Sequence, residues 1–165
     1  MQLPNTTVLR QKFKALQVRH WREKFWLGPA FLLLGIMRGI LLIVPFKRVA
    51  RYLGQDMQNI PVIPLACPRH KVIADHIGKA IRTSANYTPW ESKCLAQAMT
   101  ARIILGIHDI PYALFLGVNK QKLTDMTAHA WVCVDRVPVT GGDGFAGYTV
   151  VSTFVANDCF SEQPL

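Results

Sequence analysis

The longest apolar run of the chain lies near its amino end and reads FWLGPAFLLLGIMRGILLIVPF from Phe25 to Phe46. It predicts a helix of about the length that spans a bilayer, although it contains Arg38 and is ended by Pro45. Three arrangements fit this pattern: a helix buried in the protein or against a partner, a helix on a membrane surface, and a true span. The next segment, Lys47 to Leu53, predicts a short amphipathic helix that Gly54 ends.

Three prolines follow within residues 55–70, at Pro61, Pro64 and Pro68. They predict a linker or extended arm and the internal boundary of the chain. We therefore divide the chain into a basic, hydrophobic helical N-terminal region with its linker, residues 1–70, and a core, residues 71–165.

The core begins with a helical pattern. Val72 to Arg82 carries apolar residues at helical spacing, and a second helical stripe runs to Leu105 and ends at Gly106. The second helix has two candidate N-caps. Thr88 opens a T-x-x-E capping box with a proline at the first helical position, and Ser92 competes with it.

The pattern changes after Gly106 to runs typical of strands, separated by a polar turn over residues 119–127 and by a hairpin turn at Asp135-Arg136. The predicted strands are Pro111–Val118, Ala128–Val134, Val137–Thr140 and Tyr148–Val155. Helices followed by an antiparallel sheet predict an α+β fold, with a cysteine-bearing helix packed on the sheet.

Charge separates the two regions. The net charge of the 165-residue chain is +9, and residues 1–55 hold ten Lys or Arg and a single acid, Glu23. Such a patch suits anionic lipid, an acidic peptide or nucleic acid, but no nucleic-acid motif accompanies it, so we do not expect nucleic acid. The composition, half hydrophobic, excludes a disordered chain.

The cysteines and histidines show no metal-ligand spacing, and no glycine motif that cradles phosphate opens a helix. We therefore predict no metal and no cofactor. No secretory signal opens the chain. We expect free thiols in the cytoplasm, with membrane association if the Phe25–Phe46 helix meets lipid.

Cys94 is the candidate nucleophile. With Ser92 as the cap it lies in the first helical turn, where the helix dipole favours a thiolate; with Thr88 as the cap it lies in the second turn and gains less. His129 begins a strand and is the candidate base. Gln97, one turn past Cys94, could donate to an oxyanion.

The hairpin places an acid beside the histidine. A two-residue turn sets His129 opposite Gly142, and a three-residue loop sets it opposite Asp143, so Asp143 is the candidate for orienting the imidazole. The rival is Asp135, which lies about 20 Å along a straight strand from His129.

These residues carry a family resemblance. A cysteine-bearing helix, a strand with His-Ala-Trp-Val and a following acid resemble papain-like transglutaminase folds. The runs WESKCLAQAM, LFLGV, TAHAWVCVD and YTVVSTF, together with FKRVARYLG, resemble more narrowly the B (B2) proteins of lasso peptide biosynthesis. The resemblance implies a papain- or transglutaminase-like core with Cys94 as nucleophile, His129 as base and Asp143 as the third member.

The same resemblance implies a cysteine peptidase that cuts the leader from a ribosomally made precursor peptide. It implies two partners, a small leader-binding (RRE-type) B1 protein and a separate lasso cyclase. Two alternatives stay open: acyl transfer to an amine, as in true transglutaminases, and a non-catalytic scaffold that holds a leader, a partner or a membrane.

Overall fold

A computed structural model describes residues 21–122, 125–142 and 147–156 of the chain. Its helices are α1 (Trp21–Ile43), α2 (Phe46–Ala50), α3 (Pro68–Ala85) and α4 (Cys94–Ile107). Its strands are β1 (Gln55–Asp56), β2 (Ala113–Lys122), β3 (Asp125–Val134), β4 (Val137–Thr140) and β5 (Thr149–Val155). Helices plus an antiparallel sheet confirm the predicted α+β class.

The strands form one sheet in the order β1-β5-β2-β3-β4, with antiparallel pairing throughout. The predicted two-residue turn between β3 and β4 is confirmed, because Val134 pairs with Val137. Asp135 adopts the left-handed φ of 51° there, a conformation that Asp tolerates better than most residues.

The polar turn predicted over residues 119–127 is shorter than expected. The ladder between β2 and β3 continues from Asn119↔Thr127 to Lys122↔Asp125. Backbone pairing does not need apolar side chains, so a hairpin can extend beyond the apolar part of its strands. The prediction was wrong because it ended each strand where hydrophobicity ends.

The two faces of the sheet differ in what covers them. Leu114, Val132 and Val134 belong to the main core, which lies under the helices. Phe115 and Trp131 belong to a smaller cluster on the other face. The linker predicted over residues 55–70 is wrong at both ends, because residues 55 and 56 form β1, which pairs with β5, and α3 begins at Pro68. Residues 57–67 between them form no helix or strand, as the prolines predict, and this segment lays Met57 and Val62 over the smaller cluster.

The main core crosses the boundary predicted at residue 70. Leu34 of α1 and Leu53 after α2 are buried in the same cluster as Ile77, Leu105 and Val132. Ser84 of α3 donates a 3.1 Å hydrogen bond to the carbonyl oxygen of Leu27 in α1. α1 therefore packs on the α3–α4 layer, while the division into two domains stays a prediction.

Candidate active site

The nucleophile candidate opens its helix. α4 begins at Cys94, its N-cap is Lys93, and no side chain caps it. The capping predictions for Thr88 and Ser92 are therefore wrong. The Thr88 hydroxyl instead contacts the carbonyl oxygens of Ala85 and Trp90, at 3.0 Å each, and the Ser92 hydroxyl at 2.8 Å.

Contacts with α1 explain why the segment before Cys94 is not helical. The indole of Trp90 lies on α1 against Phe31, with ring centroids 5.4 Å apart. It also lies so close to Gly35 that a Cβ there would come within 2.9 Å of the indole. Glu91 forms ion pairs with Arg38 at 3.7 Å and with Lys93 at 3.1 Å. This packing outweighs the local capping preference.

The same contacts explain two residues that are unusual in an apolar helix. Gly35 leaves room for the Trp90 ring, and Arg38 reaches the Glu91 carboxylate. The pKa of Glu91 is lowered, first by its hydrogen bond and charge interaction with Lys93 and then by Arg38. Sequence reasoning missed this role of α1, although a glycine and an arginine inside an apolar run were its signal.

The Cys94 side chain lies where a helix presents its first backbone N–H groups. Its side chain is half-buried against the main core. The first turn of α4 has neither a side-chain cap nor an acidic residue. Such N–H groups and the helix dipole stabilise negative charge, and a thiolate is the reactive form of cysteine.

One of the two side-chain N–H hydrogens of Gln97 is already used in a hydrogen bond. Its side-chain amide donates a 2.8 Å hydrogen bond to the carbonyl oxygen of Ser92. This bond fastens the incoming segment to the first turns of α4. An amide NH₂ carries two hydrogens, so one remains for the predicted interaction with an oxyanion.

A backbone carbonyl holds the imidazole of His129. Nε2 lies 2.9 Å from the carbonyl oxygen of Gly141. Because a carbonyl oxygen can only accept, Nε2 carries the hydrogen, and in the neutral ring Nδ1 is then the free base. Sequence reasoning missed Gly141, although the Gly-Gly pair after β4 marks an unusual backbone.

The ring of His129 lies on the outer face of the sheet. Its centroid is 5.1 Å from that of Tyr148 and 6.0 Å from that of Trp131. Neighbouring residues in a strand point to opposite faces, and Ala130 belongs to the core under the helices. His129 therefore points away from that core.

The structure does not join the two principal candidates. α4 packs against β3, so the elements that carry Cys94 and His129 are in contact. However, the thiol belongs to the helix side of the sheet and the imidazole to the side of Trp131 and Tyr148. The pairing of Cys94 with His129 therefore stays a prediction.

The structure describes only one of the two acids considered as partners of His129. Asp143 lies outside the described residues, so its contact with His129 also stays a prediction. Asp135 is buried and forms an ion pair with Lys71 of α3. The hydrogen bond from Lys71 is the main reason that the pKa of Asp135 is lowered. Its carboxylate is engaged at the hairpin turn and tethers that turn to α3.

The other described cysteines are chemically distinct from Cys94. Burial raises the pKa of the Cys133 thiol to about 11, which leaves it protonated and inert at neutral pH. Cys67 is exposed and free. Among the described residues, no group of three or more His, Cys, Asp or Glu side chains is placed to hold a metal ion.

Comparison with known proteins places this chain in a family. No curated protein and no solved structure matches the chain. Residues 40–153 match the transglutaminase-like superfamily, a span that includes Cys94 and His129 and more than half of the 165 residues. Superfamily members are generally cysteine proteases or transferases, which agrees with a half-buried cysteine that opens a core helix packed on an antiparallel sheet. The chain belongs to the transglutaminase-like superfamily.

Proposed function

We propose that this protein is a cysteine peptidase that removes the leader from a ribosomally made lasso precursor peptide. It acts with a small leader-binding protein of the RRE type, and a separate lasso cyclase uses the product. The observation that carries the proposal is Cys94 as the first residue of α4 within a transglutaminase-like domain. The narrower lasso assignment rests on the sequence resemblance alone.

The proposed reaction is hydrolysis of one amide bond. The Cys94 sulfur attacks the carbonyl carbon at the end of the leader, and Nδ1 of His129 takes the thiol proton. N–H groups of the first turn of α4, with the remaining hydrogen of Gln97, stabilise the oxyanion. The imidazolium then gives its proton to the leaving amine, and water hydrolyses the thioester to release the leader as a free acid.

The proton transfer needs His129 within hydrogen-bond reach of Cys94, directly or through one water. Cys94 and His129 lie on different sides of the sheet, so the proposal requires substrate binding to bring the two side chains together. The hydrogen bond to Gly141 supports the proposal because it fixes the tautomer that leaves Nδ1 free. Asp143 is the proposed acid that stabilises the imidazolium.

One observation favours a second function, a non-catalytic scaffold of the transglutaminase-like fold. Cys94 and His129 lie on different sides of the sheet, and a scaffold does not need them to meet. Acyl transfer to an amine is the other alternative, because the same residues can serve it. The mass of the product separates hydrolysis from transfer.

The decisive experiment is mass spectrometry of a cognate precursor peptide after incubation with the protein, with and without the leader-binding partner. We expect cleavage at a single junction, with a free carboxyl on the leader. Cys94→Ala should abolish turnover. Cys67→Ala, which removes the exposed thiol at the N-cap of α3, is the matched control and should keep it. Turnover by Cys94→Ala would show that Cys94 is not the nucleophile.

Alkylation tests the pairing of thiol and imidazole without any substrate. Below pH 7, iodoacetamide should modify Cys94 before Cys67, while Cys133 stays unmodified because burial raises its pKa to about 11. His129→Ala should remove the advantage of Cys94. If Cys94 reacts no faster than Cys67, or if His129→Ala leaves its rate unchanged, the scaffold becomes the better assignment.

A further inference from the structure

α1 exposes an apolar stripe along its outer face. Phe25, Leu32, Ile36 and Ile43 are 70%, 65%, 45% and 84% exposed. They are seven, four and seven residues apart, so they fall on one line along the helix, about 27 Å long. We call these four residues the outer stripe. Exposed apolar surface of this length marks a contact with a membrane or a partner.

The inner face of α1 packs against the rest of the protein. Ala30, Leu34 and Met37 are buried in the main core, and the Leu27 carbonyl accepts a hydrogen bond from Ser84. By length and composition Phe25–Ile43 could cross a membrane. A crossing helix, however, would have to leave the core and expose the apolar faces of α3 and α4. The packing therefore favours a helix that keeps its inner contacts and offers only its outer face.

Charge distinguishes lipid from a protein partner. Arg38 is the only charged residue between Phe25 and Phe46, and it pairs with Glu91. At about 100° per residue, it lies about 120–160° around the helix from the four residues of the outer stripe. The stripe is thus free of charge, while exposed Lys47, Arg48 and Arg51 follow directly after α1.

This arrangement is that of an interfacial anchor. Apolar side chains of such helices enter the boundary of the acyl chains, and basic residues beside them attract anionic headgroups. Residues 1–55 contain ten basic residues and one acid, so this end of the chain is complementary to a negative surface. Phe46, an exposed aromatic residue, follows Ile43 by three residues in the chain, and membrane interfaces favour aromatic residues.

We propose that α1 binds in the plane of an anionic lipid membrane through the outer stripe, without crossing it. The helix stays packed on α3 and α4, so the whole domain, with Cys94, is held at the membrane surface. The proposal is independent of the proposed peptidase activity.

Sedimentation of the full-length protein with lipid vesicles tests this anchor. The protein should sediment with vesicles that contain phosphatidylglycerol and only weakly with pure phosphatidylcholine. Leu32→Glu with Ile36→Glu should weaken binding by about a hundredfold, because two apolar side chains are lost from the interface. Val151→Glu, at an exposed apolar residue of β5, is the matched control and should bind like the wild type.

Two further measurements separate the alternatives. Lys47→Ala with Arg51→Ala should lower binding to anionic vesicles by about 25-fold. Alkaline carbonate should release the bound protein, because an interfacial helix does not cross the bilayer. Resistance to carbonate would show that the helix spans the membrane.

Failure to bind any vesicle, with a concentration-dependent dimer that Ile36→Glu abolishes, would assign the stripe to a second copy of the chain. The glutamate and alanine variants all replace exposed residues, and circular dichroism checks that each of them folds.

Discussion

Gly141 connects the backbone after β4 to the proposed base. It has a left-handed φ of 93°, and a Cβ there would collide with Trp131. Gly141→Ala should therefore move the carbonyl that accepts from His129 and destabilise the fold by about 1–3 kcal/mol. We expect the proton of the neutral imidazole to leave its single position on Nε2. Long-range ¹H–¹⁵N NMR of the histidine ring reports which nitrogen carries the proton.

The neighbouring glycine provides the control for this change. Gly142 has a φ of 60°, and a Cβ there meets nothing within 4 Å. Gly142→Ala carries the conformational penalty without the collision and should keep the Nε2–H tautomer. An unchanged tautomer in Gly141→Ala would transfer the orienting role from the Gly141 carbonyl to another group, of which Asp143 is the sequence candidate.

Among the elements, the strands were easier to predict than the start of the cysteine-bearing helix. Val137–Thr140 and the Asp135-Arg136 turn follow from local alternation and turn chemistry, and the structure has both. The start of α4 depends on Trp90 and Glu91 meeting α1. Because those partners are more than fifty residues away in the chain, a local capping rule could not find the contact.

In the candidate site, too, local features could be predicted from the sequence and features that depend on distant contacts could not. That Cys94 lies near a helix start and His129 on a strand could be predicted from local patterns. Which face of the sheet receives His129 depends on register, and one residue of slip reverses it. The Gly-Gly pair signals an unusual backbone at Gly141, but the contact of its carbonyl with His129 is set by backbone conformation and could not be predicted from side chains.

The tether between the β3–β4 turn and α3 gives the hairpin a dependence on pH. Asp135→Asn keeps a residue that tolerates the left-handed turn but removes the charge that pairs with Lys71. The ordinary pKa of an aspartate is 3.8, and in the folded state the pKa of Asp135 lies below that value. Its contribution to stability is therefore complete above pH 3.8 and is lost as the pH falls through the lowered value.

Urea unfolding of wild type and Asp135→Asn at several pH values checks this. The variant should be less stable at pH 7, and the difference should shrink at acidic pH. Lys71→Met should show a similar loss, and the double variant should cost less than the two single losses together. A difference that stays constant down to pH 2 would mean that the ion pair is not its source.

At the scale of the whole molecule, the shared core predicts that the regions on either side of residue 70 unfold together. Leu34 is fully buried, in one cluster with Leu105 and Val132. Leu34→Ala should therefore lower the free energy of unfolding by about 2–5 kcal/mol, and the far-UV and near-UV circular dichroism transitions should still coincide. Leu32→Ala, on the exposed face of the same helix, should change stability little. Separate transitions, with only the first shifted by Leu34→Ala, would instead establish residues 1–70 as an independent domain. Coincident transitions would mean that α1 cannot leave the core without unfolding the segment that positions Cys94.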